Sequence, residues 1–261
     1  MTMATDTLKT LTSNSRFYIL LSSFLISLLV ISDLRLNFAS DQLFYIRSEQ
    51  VFGLLAMVYW YIALIISPLK SVIGTHSLRQ ATFARRAIGV SAAYFVLLHA
   101  VIATWGQLGG LGALQYLPTM FKWSLIGGGI TAFVLLIMAA TSFDSIVKQM
   151  TYARWKALHR VGYAAFIIVL LHIWTIGTHT AYSVTQVSVL AALILLAGLE
   201  LFRLTKAINN KLLLKRLEVV TLYITSLSIV ALLIVATPTL VGNYHSQHTS
   251  HNTASNQKDQ P

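Results

Sequence analysis

Cysteine is absent from the 261 residues. Its absence removes disulfides, thiolate-held iron–sulfur clusters, structural zinc sites and the C-x-x-C-H attachment of c-type haem. Charge is nearly as scarce. Asp, Glu, Lys and Arg together make 10% of the chain, against roughly 25% in soluble domains, and a soluble fold of this size could not cover its surface with so few. Acidic residues are missing from the middle of every long apolar run; Glu200 comes closest and sits near a run's basic end. That argues against a proton or sodium transporter built on intramembrane carboxylates. No G-x-G-x-x-G fingerprint follows a strand-like segment, and the apolar runs leave no room for a flavin or nicotinamide domain.

What the chain has is apolar length. It is 56% hydrophobic with a mean hydropathy of +0.70, and several uninterrupted runs reach the roughly 20 helical residues that cross a hydrocarbon core of about 30 Å. Spans are read at 17–32, 51–66, 87–104, 123–140, 161–177, 184–202 and 219–237. The expected fold is an all-α integral membrane bundle of about seven helices. Lys9 and Arg16 precede the first run as in a signal peptide, but no A-x-A-like cleavage site follows, so it is read as a retained helix.

The net charge of +11 would suggest nucleic acid in a soluble protein. Here the basic residues cluster in short loops, where they set topology and no nucleic-acid partner is implied. Lys70, Arg79, Arg85 and Arg86 occupy 67–86; Lys148, Arg154, Lys156 and Arg160 occupy 141–160; Arg203, Lys206, Lys211, Lys215 and Arg216 occupy 203–218. These loops are expected on the cytoplasmic side, with the charge-poor loops 33–50, 105–122 and 178–183 outside. The N-terminal segment 1–16 is then cytoplasmic, 17–50 is the first helix and outer loop, 51–202 the functional core, and 203–241 a basic loop and last helix. The polar tail 242–261 is expected outside and disordered. Its His245, His248 and His251 form an H-x-x-H-x-x-H array that suits a transition metal or is simply a solvated tail.

The spans contain histidine where they lack carboxylates. His99 lies 13 residues beyond Arg86 and His172 lies 12 beyond Arg160, so each sits about 18–20 Å in from its basic anchor at 1.5 Å per residue. Both spans run the same way, which places two imidazoles at matching depth between two helices. That is what a six-coordinate haem needs. His159 precedes His172 by 13 residues, which leaves the two side chains roughly 140° apart round an ideal helix. Either the span bends near Gly162 or His159 has another task. Its neighbours Arg85, Arg86, Arg154, Lys156 and Arg160 suit haem propionates, a flavin phosphate or a quinone, or merely anchor the interface.

Several short motifs occur in series: Ser67-Pro68-Leu69 closing the second span, Arg85-Arg86-x-x-Gly89 running to Leu98-His99, Thr141-Ser142 closing the fourth, and Trp155-x-x-Leu158-His159-x-x-x-Tyr163 followed by His172. Over about residues 50–200 this series resembles the ferric-reductase-like transmembrane domain family, and within it the haem-binding MsrQ/YedZ subunits of bacterial periplasmic methionine-sulfoxide reductase systems. The resemblance implies a six-helix core in the inner membrane, with His99 and His172 as axial ligands of a haem b and His159 as a third cofactor-binding histidine. A second haem, FMN or a quinone near the cytoplasmic face stays open. The wider superfamily carries two histidines in each of two helices, whereas this chain has Arg85 at the position 14 residues before His99.

Taken together, the expected role is outward electron transfer. The donor is a cytoplasmic flavin, flavin reductase or quinol, and the acceptor an outer-face reductase or a ferric or other metal ion. A haem-free transporter or assembly factor is the alternative of another class, separated by whether the purified protein shows a Soret band. The charge asymmetry makes one prediction: a reporter fused after Gln257 is active only if it works outside the cytoplasm, and one inserted near Lys148 only if it works inside. Reversal of both activities would overturn the orientation.

Overall fold

The computed structural model describes residues 2–73, 79–177, 180 and 182–208. The expected seventh span at 219–237 and the tail 242–261, with His245, His248 and His251, lie outside the described residues. Within them the chain is helical and has no strand. The helices are α1 (Thr2–Asn37), α2 (Asp41–Ile73), α3 (Arg79–Val101), α4 (Thr119–Ala140), α5 (Asp144–Gln149), α6 (Tyr152–Ile176) and α7 (Ser183–Ile208). A π-helical turn at Ile102–Gln107 extends α3, and a 3-10 turn occupies Leu111–Tyr116. Six stretches are long and apolar enough to cross a membrane: Ser15–Asn37, Asp41–Ile73, Ala84–Gln107, Thr119–Ala140, Ala153–Ile176 and Val184–Thr205. Large apolar side chains such as Leu29, Leu54, Phe133 and Val187 point outward, as a lipid-facing surface requires.

Small side chains let the helices approach, the usual packing solution where lipid removes the hydrophobic drive between helices. Ala92, Ala93 and Ala165 are buried beside Trp60, Leu64, Leu135, Phe166, Leu170 and Leu196, and Ala56 shares a second buried cluster with Phe52 and Phe95. α2 packs mainly on α3, and α4 on α6. α1 docks on α3 through hydroxyls: Ser23 meets Ser91 at 2.8 Å and Ser27 meets the Tyr94 hydroxyl at 2.7 Å.

Two boundaries differ from the sequence reading. The second span does not close at Ser67-Pro68-Leu69, because α2 runs on to Ile73. Proline removes the N–H that would reach the carbonyl four residues back and opens the helix at that turn. Arg85 from α3 lies beside that turn, donating from Nε to the Ala63 carbonyl at 2.7 Å and from Nη1 to the Ser67 hydroxyl at 2.9 Å. The region 105–122, expected as loop, keeps the π turn and the 3-10 turn, separated by Gly109 and Gly110 at φ +73° and +121°.

At the basic end Asp144 accepts from two helices at once, from Arg16 of α1 at 2.9 Å and from Arg86 of α3 at 2.6 Å. Burial alone would raise the Asp144 carboxyl, but the two guanidiniums outweigh it and hold the group below the usual carboxylate value. A depressed carboxylate stabilises the fold above its unfolded value and loses that contribution as pH falls through the folded one. Asp144→Asn should therefore lower the thermal midpoint in detergent slightly at neutral pH, the stability lost being less than about 1 kcal/mol for so exposed a group. The difference from wild type should persist down to about pH 4 and fade only below it, as pH falls through the depressed folded value. A difference that grows on acidification would contradict this account.

Candidate metal centre

His99 projects from α3 and His172 from α6, and the two rings face each other with centroids 6.3 Å apart and planes 85° apart. The matched depth expected from the basic anchors is thus a close juxtaposition. Each ring is fixed by a backbone carbonyl of the neighbouring helix: His99 Nδ1 donates to the Glu49 carbonyl of α2 at 2.8 Å, and His172 Nδ1 to the Ser124 carbonyl of α4 at 2.9 Å. A carbonyl oxygen only accepts, so Nδ1 must carry the hydrogen in both rings. Each Nε2 is left with its lone pair available, the tautomer a metal-binding imidazole requires.

The two donors suit one particular kind of metal. Imidazole nitrogens about 2.0 Å either side of an iron put the ring centres about 6 Å apart, and the two planes can take any mutual twist about that axis. Among the described residues no three His, Cys, Asp or Glu side chains gather as a metal-binding group. Two imidazoles alone are a poor site for a bare ion, but they fit an iron whose other four positions are filled by a macrocycle. α3 packs chiefly on α2 and α6 on α4, so the two helices that carry the facing histidines are held mainly by other partners.

His159 does not join this pair. α6 is unbroken from Tyr152 to Ile176, so no bend at Gly162 brings the two α6 histidines together. They stand about 20 Å apart along the axis. His159 donates from Nδ1 to the Trp155 carbonyl at 3.0 Å, meets the Ser142 hydroxyl through Nε2 at 3.4 Å and stacks on Trp155 with ring centres 4.1 Å apart. Arg86 lies 5.5 Å over the Trp155 ring while holding Asp144. Arg85 is turned to Ala63 and Ser67, and both arginines are within electrostatic reach of His159. Arg154, Lys156 and Arg160 are exposed.

The two halves of the site repeat each other. In α2 the Glu49 carbonyl receives His99, and Ala63 and Ser67, 14 and 18 positions further on, receive Arg85. In α4 the Ser124 carbonyl receives His172, and the residues at the same offsets, Met138 and Ser142, engage His159. Arg85 therefore holds in one half the place that His159 holds in the other. Sequence reading also missed a buried carboxylate. Glu200 in α7 is 1% exposed, accepts from the Tyr163 hydroxyl at 2.9 Å and pairs with Arg203 at 2.7 Å. The i,i+3 spacing of Glu200 and Arg203 was the available signal.

The family model described as ferric reductase like transmembrane component matches residues 51–170. The haem-binding subunit MsrQ of a protein-methionine-sulfoxide reductase from Deinococcus radiodurans is 32% identical over 153 residues, covering 58% of this chain and 71% of that protein. The chain belongs to the ferric-reductase-like transmembrane family. Another relative of the same name, from Polaromonas naphthalenivorans, is 34% identical over 112 residues, 42% of this chain and 49% of its own. The magnetosome protein MamZ of Magnetospirillum gryphiswaldense is 33% identical over 129 residues, 48% of this chain and 19% of that protein. The chain spans about half the length of the first curated relatives it matches. No solved structure matches it. The family match runs from within α2 through α3 and α4 into α6; it takes in His99 and Ser124 and ends two residues before His172.

Proposed function

We propose that this family member is a b-type haem protein of the inner membrane that passes electrons across the bilayer to an acceptor on the outer face. The observation that carries the reading is the facing pair His99 and His172, 6.3 Å apart, each with Nδ1 tied to a carbonyl. Haem, when bound, supplies one-electron chemistry. The protein's part is to hold the iron from both sides, to keep water away with apolar helices, and to set ligand basicity through the two carbonyls. The MsrQ name of several relatives supports a partner reductase acting on oxidised methionine as acceptor. The family's ferric reductase description favours, as a second reading, direct reduction of ferric or another metal ion.

The donor is a cytoplasmic reduced flavin, a flavin reductase or a quinol, delivered at the end where Arg85, Arg86, Arg154, Lys156 and Arg160 gather round His159. With the haem held about 20 Å from His159 along α6, a second cofactor near the basic end, whether haem, FMN or quinone, completes the crossing. Arg85 and His159 are the side chains placed to meet it, and the basic loops put this end on the cytoplasmic side.

The ligand assignment makes the first prediction of this reading. His99→Leu and His172→Leu should each abolish the low-spin six-coordinate spectrum of the purified protein, and the double variant should be no worse than either single. His159→Leu should leave that spectrum in place while slowing reduction from the basic end or removing a second cofactor. Retention of a low-spin haem by either His99→Leu or His172→Leu would overturn the assignment. The donor makes another: NADH or NADPH alone should leave the protein oxidised, and a flavin reductase with free flavin, or a quinol, should reduce it. Rapid reduction by a pyridine nucleotide alone would refute the need for a partner.

A further inference from the structure

The carbonyls that hold the two histidines belong to helix interiors, and each is followed four residues later by a glycine. Glu49 is followed by Gly53 in α2, and Ser124 by Gly128 in α4. Both glycines lie directly against the imidazole that their helix receives. A Cβ on Gly53 would come within 3.1 Å of His99 Nδ1 and 3.3 Å of its Cε1; a Cβ on Gly128 would come within 2.8 Å of both Nδ1 and Cε1 of His172. An α-helix turns through 3.6 residues, so position i+4 stands on the same face as i, one turn further along. Any side chain there would stand where the ring now lies on its way to carbonyl i.

We infer that Gly53 and Gly128 are positioning residues: each leaves open a slot on the helix face through which the axial imidazole reaches an interior carbonyl. The inference rests on the reading of His99 and His172 as haem ligands. The slot has a chemical consequence beyond space. A carbonyl that accepts from Nδ1–H raises the electron density of the ring and makes Nε2 a stronger donor to iron, which favours the ferric state. Loss of that hydrogen bond weakens the ligand and moves the midpoint potential upward. The same two-part device, carbonyl i and glycine i+4, occurs once in each half of the repeated frame, so the two axial ligands are held alike. Neighbouring glycines do not share the feature. A Cβ on Gly89 of α3 or on Gly129 of α4 meets nothing within 4 Å.

Substitution by alanine separates this role from a structural one, because alanine is the stronger helix former and a weakened helix would not explain a loss. Full-length protein is purified in detergent and compared by absorption and electron paramagnetic resonance spectra, haem-to-protein ratio, redox titration and far-ultraviolet circular dichroism. Gly128→Ala, with the closer approach, should lose most of the low-spin signal while its helical content stays that of wild type. Gly53→Ala should keep bound haem but show altered low-spin g-values and a higher midpoint potential. Gly89→Ala and Gly129→Ala should match wild type in every readout. Wild-type spectra and potential in both Gly53→Ala and Gly128→Ala would overturn the inference, as would equal haem loss in Gly129→Ala. Wild-type protein without a low-spin haem would instead overturn the functional reading beneath it.

Discussion

Inside a hydrocarbon slab the carbonyls of a helix are already engaged by their own ladder, and no water is present to orient a buried side chain. A histidine there must find its hydrogen-bond partner in the protein, and that partner fixes which ring nitrogen stays available. His99 and His172 both meet this constraint by sharing an interior carbonyl of the next helix, Glu49 in one case and Ser124 in the other. Much of the surrounding architecture follows from the need to bring a ring that close to a backbone. α2 must lie on α3 and α4 on α6, and the α2 and α4 faces must be bare where the rings pass. The rings then meet at 6.3 Å.

The frame that does this is used twice, but the two copies are filled differently at the basic end. Where His159 lies against Met138 and Ser142, Arg85 lies against Ala63 and Ser67. Ser67 adjoins Pro68, whose missing N–H leaves the Leu64 carbonyl without its ladder donor, and the Arg85 guanidinium with its fork of donors lies beside that turn on the Ala63 carbonyl and the Ser67 hydroxyl. The copy that contains the proline is thus the copy that holds the arginine. Equivalent geometry at the other end of the frame gives two histidines held alike; at this end it gives one histidine and one fixed cation.

How much of this was legible in the sequence depends on whether a feature is set by one helix or by two. The histidine pair was legible because rise per residue converts offsets from Arg86 and Arg160 into depth, whereas the angle of His159 on α6 left open a bend near Gly162 or a separate task until the unbroken helix decided it. Helix composition disclosed all six described spans, although α2 runs on past Pro68 to Ile73. The carbonyl partners of the histidines, the glycine contacts and the burial of Glu200 are relations between helices. Nothing in the local pattern around Gly53 or Gly128 tells which neighbour will lie against it.

The charge of the basic end is also more structured than a count of loop residues conveys. Two carboxylates are each set among two arginines. Asp144 takes Arg16 and Arg86, and Glu200 takes Arg203 directly and feels Arg85. Each group of three carries one net positive charge: one lies at the exposed edge over Trp155 and the other within the bundle beside Tyr163. Exposed Arg154, Lys156 and Arg160 add to the first. The inner charge is the telling one, because a cation inside a span is costly unless something anionic accompanies it, and Arg85 donates to two neutral oxygens, the Ala63 carbonyl and the Ser67 hydroxyl. An excess positive charge held there lowers the energy of any anionic group that enters the basic half of the bundle, and it raises the affinity of that end for an electron.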